Sequence, residues 1–550
     1  MKRTVIVSLI VLIALCLAAC HQEMAHLQPP LQKKGRAVAS TPPPPPPRPP
    51  TSAMPRPVRG MESGVVGGVM GIAVGGVAGG MIGGVASDEF PVEVPQRALE
   101  ENAFVPAVDQ ATTTFAIDVD RASYANVRRY LAQGMLPPAE AVRIEEMINY
   151  FDYNYPQPKG DVPFSITTEV AGCPWESSHR LLRIGIQGAQ LDPWRMAPNR
   201  LVFLLDVSGS MQPPQRLPMI QSAFRVLVNQ LRAEDTVAIV VYAGASGLVL
   251  PPTSGADKET ILGALGSLAA GGSTAGGAGI ELAYKIAEEN FDAKANNRVI
   301  LATDGDFNVG ISSLEDLQKL IEAKRDSGIF LTTLGVGDDN YRDSVLELLA
   351  DKGNGNYAYL DSLQEAEKVF KKELTGTLVT IAKDVKVQLE FNPELVASYR
   401  QIGYENRALE NKDFDDDTKD AGDLGAGHSV TALYEIVPVS SGATGEIATL
   451  RLRYQEPRGS ASRLITTSAI DQGKSEFTAS PDFQFAAAVA ELGMLLRDSP
   501  HKGTATFDEA LKLARIARGS DLDGFRAEFL QLTDSARAMK RRAQATIAEE

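Results

Sequence analysis

The chain reads as an α/β protein built around a doubly wound, mostly parallel sheet. A small α+β module precedes it, and a β-rich plus helical domain follows. Three observations predict this. Between 200 and about 375, near-continuous apolar runs alternate with amphipathic stretches of helical period, as parallel strands covered on both faces require. Upstream, two helical stripes precede one alternating strand. Downstream, the apolar period falls to two and then returns to helical. With 550 residues, 44% of them hydrophobic, several domains are expected.

Residues 1–19 have the form of a signal peptide. Lys2 and Arg3 precede "TVIVSLIVLIALCLAAC", an apolar run short for a spanning helix. Its end, "LAAC", resembles a bacterial lipobox. That resemblance implies cleavage before Cys20 and lipid on its sulfur and new amino terminus. By the same resemblance, His21 in place of aspartate favours the outer membrane in bacteria that have one. Cys16 leaves with the signal and Cys173 is then alone, so no intramolecular disulfide framework is expected.

Residues 20–109 read as a linker. "TPPPPPPRPP" at 41–50 imposes a semi-rigid polyproline II spacer. From Gly64 to Ala86 there is no charge, and Gly67, Gly71, Gly75, Gly79 and Gly83 recur every four residues. This stretch is either a flexible low-complexity linker or a glycine zipper that self-associates or inserts in lipid. The whole chain carries −15, and residues 61–550 carry −22 because the first sixty are net basic at +7. An acidic body excludes nucleic acid as the main partner; the basic stretch is a solvated tail or touches an anionic surface.

The ordered part begins with a module at 110–197. Tyr124, Val127 and Leu131 make one helical stripe, closed by Gly134, and Ile144, Met147, Ile148 and Phe151 make a second. Leu182, Ile184 and Ile186 then alternate with Arg183 and Gly185 as a half-buried strand. From 198 to 376 the strands "RLVFLLD", "TVAIVVY", "RVILATD", "IFLTTLGVG" and "GNYAYL" are separated by helices near 216–231, 257–267, 277–290 and 313–326 and at "YRDSVLELLADKG". Over 377–480, Val385, Val387, Leu389 and Phe391 alternate in "VKVQLEF", as do "SVTALYEI" and "TLRLRY", the pattern of an antiparallel sandwich. Residues 481–550 are helical. Phe485, Val489, Leu492 and Leu496 form a stripe, Thr506 and Glu509 a capping box, and these helices are expected to pack back on the β module.

Ligands of open parallel sheets sit beyond the carboxyl ends of the strands. There "LLDVSGSM" supplies Asp206, Ser208 and Ser210, "GGSTAGG" supplies Thr274, and "ATDGD" supplies Asp304. Hydroxyls and carboxylates without His or Cys suit Mg²⁺, Mn²⁺ or Ca²⁺ rather than zinc. The two serines and Thr274 can ligate directly. Asp206 and Asp304 orient waters and hydroxyls, or one of them binds the ion. Neutral hydroxyl ligands leave the ion electron-poor, so an outside carboxylate can complete its shell. A blander account makes these residues helix N-caps.

"DVSGSM", "GGST" and "TDG", in this order, resemble the metal-ion-dependent adhesion site of von Willebrand factor type A (VWA) domains, whose fold is Rossmann-like. The resemblance implies that Asp206, Ser208, Ser210, Thr274 and Asp304 are the metal-site residues. It also implies metal-dependent binding of a protein that offers an acidic side chain, and no enzymatic activity. "TFAIDVDRASYANVRRYLAQG", "EFNPELVASYRQIGYENR" and "AGHSVTALYEI" are similar to the flanking segments of a group of bacterial lipoproteins, so the likeness covers roughly 110–550.

Three other patterns compete. Asp118 and Asp120 in "FAIDVDRAS", with Asp338, Asp339 and Asp343, resemble the acidic motifs of Mg²⁺-dependent haloacid-dehalogenase-like phosphatases. Asp118, however, leads into a helical pair rather than parallel strands, and position 122 is alanine. A serine hydrolase is disfavoured because "VSGSM" is not G-x-S-x-G, and His179, His428 and His501 are lone histidines. Asp413, Asp415, Asp416, Asp417, Asp420 and Asp423 lack the glycine and closing glutamate of an EF-hand and read as a solvated loop. A structural envelope protein whose metal only stabilises the fold is the remaining alternative.

Overall fold

The computed structural model describes residues 100–549, apart from 193–195, 244, 273–275, 306–313, 338–342, 374–378, 406, 418, 420, 458 and 460. The signal peptide, Cys20 and Gly64–Ala86 lie outside the described residues.

The first flank contains β1 (Val105–Pro106), β2 (Thr112–Ala116), α1 (Ala122–Ala132), α2 (Ile144–Asn149), β3 (Phe164–Gly172) and β4 (Arg180–Gly188). Gly134, with φ +75, follows α1, in the conformation glycine adopts without cost. The second stripe is broken where one helix was expected. A 3₁₀ turn at Ala139–Ala141 is separated from α2 by an extended Val142. Ser123 holds the break, since its hydroxyl donates to the Ala141 carbonyl and accepts from the Arg143 N–H, both at 2.8 Å.

The α/β domain follows in the order β5 (Asn199–Asp206), α3 (Leu217–Gln230), β6 (Thr236–Tyr242), β7 (Ser246–Ser254), α4 (Lys258–Gly266), α5 (Gly276–Glu289), β8 (Asn296–Thr303), α6 (Leu314–Asp326), β9 (Ile329–Gly335), α7 (Asp343–Lys352), β10 (Tyr357–Tyr359) and α8 (Leu363–Lys368). The sheet order is β10-β9-β8-β5-β6-β7, parallel except for the β6–β7 pair. Strand β5 is central and its side chains divide between two cores. Leu201, Phe203 and Leu205 join Ile220, Phe224 and Leu227 of α3, while Val202 and Leu204 join residues of α5, α6 and α7. That alternation makes the sheet doubly wound. Strand β7 was not anticipated. It carries Pro251 and Pro252, which an edge strand tolerates because its outer N–H groups have no ladder partner to lose.

The second flank holds β11 (Thr380–Phe391), β12 (Val396–Ile402), β13 (Ala408–Leu409), β14 (Leu424–Gly425), β15 (Ser429–Pro438), β16 (Gly445–Gln455), β17 (Ser462–Asp471), α9 (Pro481–Arg497), α10 (Phe507–Ile516) and α11 (Phe525–Glu549). Strand pairing changes the meaning of the expected boundaries. β2 pairs antiparallel with β11, so Phe115 faces Val387, and β15 pairs with β4, so Thr431 faces Gly185. Residues 110–197 and 377–480 therefore build the same two sheets, β1-β12-β15-β4-β3 and β13-β2-β11-β16-β17, around one core that includes Phe115, Ile184, Leu389 and Leu450. The α/β domain is inserted between β4 and β11. A flanking strand that cannot close a sheet by itself needs these distant partners to satisfy its backbone.

One expectation is corrected and another is refined. β4 is buried beyond its first residue rather than half-buried, because the Tyr155 ring lies over Gly185, where an added Cβ would come within 2.0 Å of it. The C-terminal helices pack first on the N-terminal helical pair: Phe151 meets Phe485 at 4.8 Å and Phe529 at 5.8 Å between ring centroids. That layer reaches the sheet through Leu181, Ile402 and Leu433.

Candidate functional site

The carboxyl end of β5 delivers a buried apolar strand straight into a turn. Asp206 is fully buried, and its two oxygens bind two loops. Oδ1 accepts from the Ser208 N–H at 2.8 Å, and Oδ2 accepts from the Thr303 hydroxyl at the end of β8, at 3.1 Å. Burial raises this carboxyl above its ordinary value. The bonds from Ser208 and Thr303 oppose that shift, and the charge of Asp304 adds to it.

Ser208 enters a 3₁₀ turn at Gly209–Met211, which brings its Oγ to 2.9 Å from that of Ser210. The second loop is clamped to this turn by backbone bonds. Gly209 N–H donates to the Gly272 carbonyl at 3.0 Å, and Gly271 N–H donates to that of Val207 at 2.8 Å. Thr274, two positions beyond Gly272, lies outside the described residues. Asp304 follows β8 and is buried. Its Oδ2 accepts from Arg216 Nη1 at 2.6 Å, and the same nitrogen donates to the Ser210 carbonyl at 2.9 Å. Asp206, Ser208, Ser210 and Asp304 are thus brought together at one sheet edge.

The donors fit a hard divalent ion. They are hydroxyls and carboxylates without nitrogen or sulfur, as such ions prefer. The 2.9 Å between the serine hydroxyls suits an ordinary hydrogen bond. It also matches the edge of an octahedron of oxygens about 2.0–2.1 Å from Mg²⁺, which is roughly 2.9 Å. Sequence reasoning missed Thr303 and Arg216. Thr303 carried a signal as the residue before Asp304; Arg216, just before a helix, carried none.

The competing patterns resolve differently. Asp118 and Asp120 pair with Arg407 at 3.3 and 3.0 Å. Asp120, Glu347 and Asp351 form an acidic cluster whose oxygens gather within 4.8 Å, and Arg407 reaches Asp351 at 3.3 Å as well, so these groups make one ion-pair network. Asp338 and Asp339 lie outside the described residues, and Asp343 opens α7. His179 Nδ1 is 2.6 Å from Glu435, His428 lines the cleft beside Arg407, and burial lowers the His501 pKa. In the acidic loop, Asp415 and Asp417 are each held at 3.0 Å by Arg453, Asp413 is buried, Asp416 accepts from Lys386 through its carbonyl, and Asp423 accepts from the Asp384 N–H. Asp420 lies outside the described residues.

A doubly wound sheet with these loops at its carboxyl edge defines a von Willebrand factor type A domain, and residues 201–372 match that domain family. Residues 95–183 match a family described as von Willebrand factor, and residues 376–539 one described as Uncharacterized protein YfbK, C-terminal. The chain belongs to the family of the Escherichia coli protein described as Uncharacterized protein YfbK, with 42% identity over 463 residues covering 80% of each chain. An uncharacterized Synechocystis protein is 29% identical over 202 residues, covering 37% of this chain and 46% of its own. Among solved structures, a von Willebrand factor type A protein from Catenulispora acidiphila aligns with a TM-score of 0.38 and 17% identity, over 68% of this chain and 91% of that one.

Proposed function

We propose that this protein binds a partner protein through a divalent cation, Mg²⁺ or else Mn²⁺ or Ca²⁺, held by Asp206, Ser208, Ser210, Thr274 and Asp304, and that it acts by binding rather than catalysis. The observation that carries the reading is the Ser208–Ser210 hydroxyl pair beside the buried Asp206 carboxylate. Asp206 fixes the turn that presents the hydroxyls and ties it to β8 through Thr303. Such a cation, when bound, supplies a Lewis-acidic position for an outside carboxylate. The chain enters the domain from β4 and leaves it into β11, so the sandwich holds both of its ends. "LAAC" supports lipid on Cys20 and a place in the cell envelope, with the proline-rich segment as spacer. No helix among the described residues is long and apolar enough to cross a membrane.

The test is crosslinking capture from intact cells with full-length protein. Partners recovered with Mg²⁺ are expected to disappear with EDTA and in S208A/S210A, while circular dichroism stays unchanged. Partners that persist through both treatments refute the reading.

A further inference from the structure

The candidate metal site contains a cation of its own. Arg216, at the N-cap position of α3, is buried and reaches residues that close two different strands. Its Nη1 donates to Asp304 Oδ2 after β8 and to the Ser210 carbonyl after β5. A third loop makes room for it. At Gly337, after β9, φ is +91, and an added Cβ would stand 2.7 Å from Arg216 Nε. Gly337 is itself held by the Tyr359 hydroxyl, which donates to its carbonyl. One guanidinium thus engages the loops after β5, β8 and β9 in a space where a larger residue than glycine would collide.

The geometry points to Arg216 as the residue that sets how tightly the site holds its divalent ion. This inference rests on the metal reading above. The electrostatic argument is direct. Asp206 and Asp304 would give the site two carboxylate charges; the Arg216–Asp304 bond neutralises one. An incoming dication meets a less negative site and binds more weakly. For the same reason a bound ion keeps more of its charge for a carboxylate from outside. Even at the dielectric of bulk water, a unit charge about 6 Å from a dication alters its affinity roughly tenfold, and burial strengthens the effect. Arginine suits this task because its guanidinium stays charged when buried and offers several donors in a rigid fork.

Mn²⁺ binding to full-length protein, read by paramagnetic resonance with Mg²⁺ competition, tests this. R216M keeps the apolar stem and removes the charge, so its Mn²⁺ affinity is expected to rise about tenfold or more. R216K keeps the charge and is expected to remain within about threefold of wild type. Equal or weaker Mn²⁺ binding in a folded R216M overturns the inference, because Arg216 then only scaffolds the loops. If R216M does not fold, R216K decides: a rise there as large as tenfold, with the charge still in place, overturns it as well. Failure of wild type and R216M alike to take up Mn²⁺ refutes the metal reading itself, and this inference with it. Equal uptake by both refutes the inference alone.

Discussion

Arg128 is the perturbation that best examines how the inserted domain is held. It leaves α1 and crosses to the α/β domain, where its fork binds both Asp361 oxygens at 2.6 Å and Glu365 at 2.7 Å. Its other nitrogen reaches Glu528 of the C-terminal helix at 3.0 Å and the Tyr150 hydroxyl at 3.1 Å. Three parts of the chain therefore meet on one buried guanidinium. R128M leaves three carboxylates around an uncharged stem. Removing one partner from a buried charge network costs about 3–5 kcal/mol, whereas an exposed pair costs about 0–1 kcal/mol. At roughly 2–4 °C per kcal/mol for a unit of 150–250 residues, the first thermal transition is expected near 10 °C below wild type. R128M/E365Q should recover part of that, since one uncompensated charge is gone. Scanning calorimetry with limited proteolysis between 189 and 199 reads both the shift and the loosening of the domain. A fall under about 3 °C, with no new cleavage, would show that the apolar contacts of α1 hold the domain without Arg128.

Other outcomes follow from the same structure. Glu491 lies fully buried in α9, with no hydrogen-bond partner among the described residues for either carboxyl oxygen, and burial pushes its pKa from 4.5 up to about 8. The folded state then holds this proton more tightly than the unfolded chain. The stability it contributes is full below pH 4.5 and is lost as pH rises to about 8. E491Q should therefore match wild type in urea melts at pH 5 and exceed it at pH 8 by several kcal/mol, at most about 5; parallel pH profiles would contradict this. G185A places a methyl against the Tyr155 ring, which is pinned by its 2.8 Å hydroxyl contact with Thr431. A loss of about 3 kcal/mol in denaturant midpoint analysis is expected from this overpacking, and a neutral result would mean that the ring moves freely. Cys173 is buried and its thiol pKa is raised well above the ordinary value, first by burial. Native protein should resist a maleimide at pH 8, and urea-unfolded protein should label fully.

The readability of the fold in the sequence follows the range of the interactions. The run from Leu201 to Leu205 was legible because a strand buried on both faces needs no alternation, and Asp206 ends it where a buried strand must meet solvent or a ligand. Gly134 was legible because a helix end with positive φ selects glycine. The shared sandwich was not. Alternating Val385, Val387 and Leu389 declare a strand with one buried face, but nothing local says that Phe115 is the cross-strand partner of Val387. Gly185 misled in a related way: its missing side chain looked like an exposed position, yet it accommodates an aromatic ring. At the candidate site, oxygen-bearing residues stand out by type and spacing. Arg216 does not, because a basic residue before a helix has many ordinary reasons to be there, and its bond to Asp304 spans 88 positions.

Isothermal calorimetry of Mg²⁺ into chelator-treated full-length protein tests the central claim most directly. The account predicts one ion per chain in wild type and none in S208A/S210A of unchanged circular dichroism. Equal heats from both proteins, or no heat from wild type with Mg²⁺, Mn²⁺ or Ca²⁺, would contradict it.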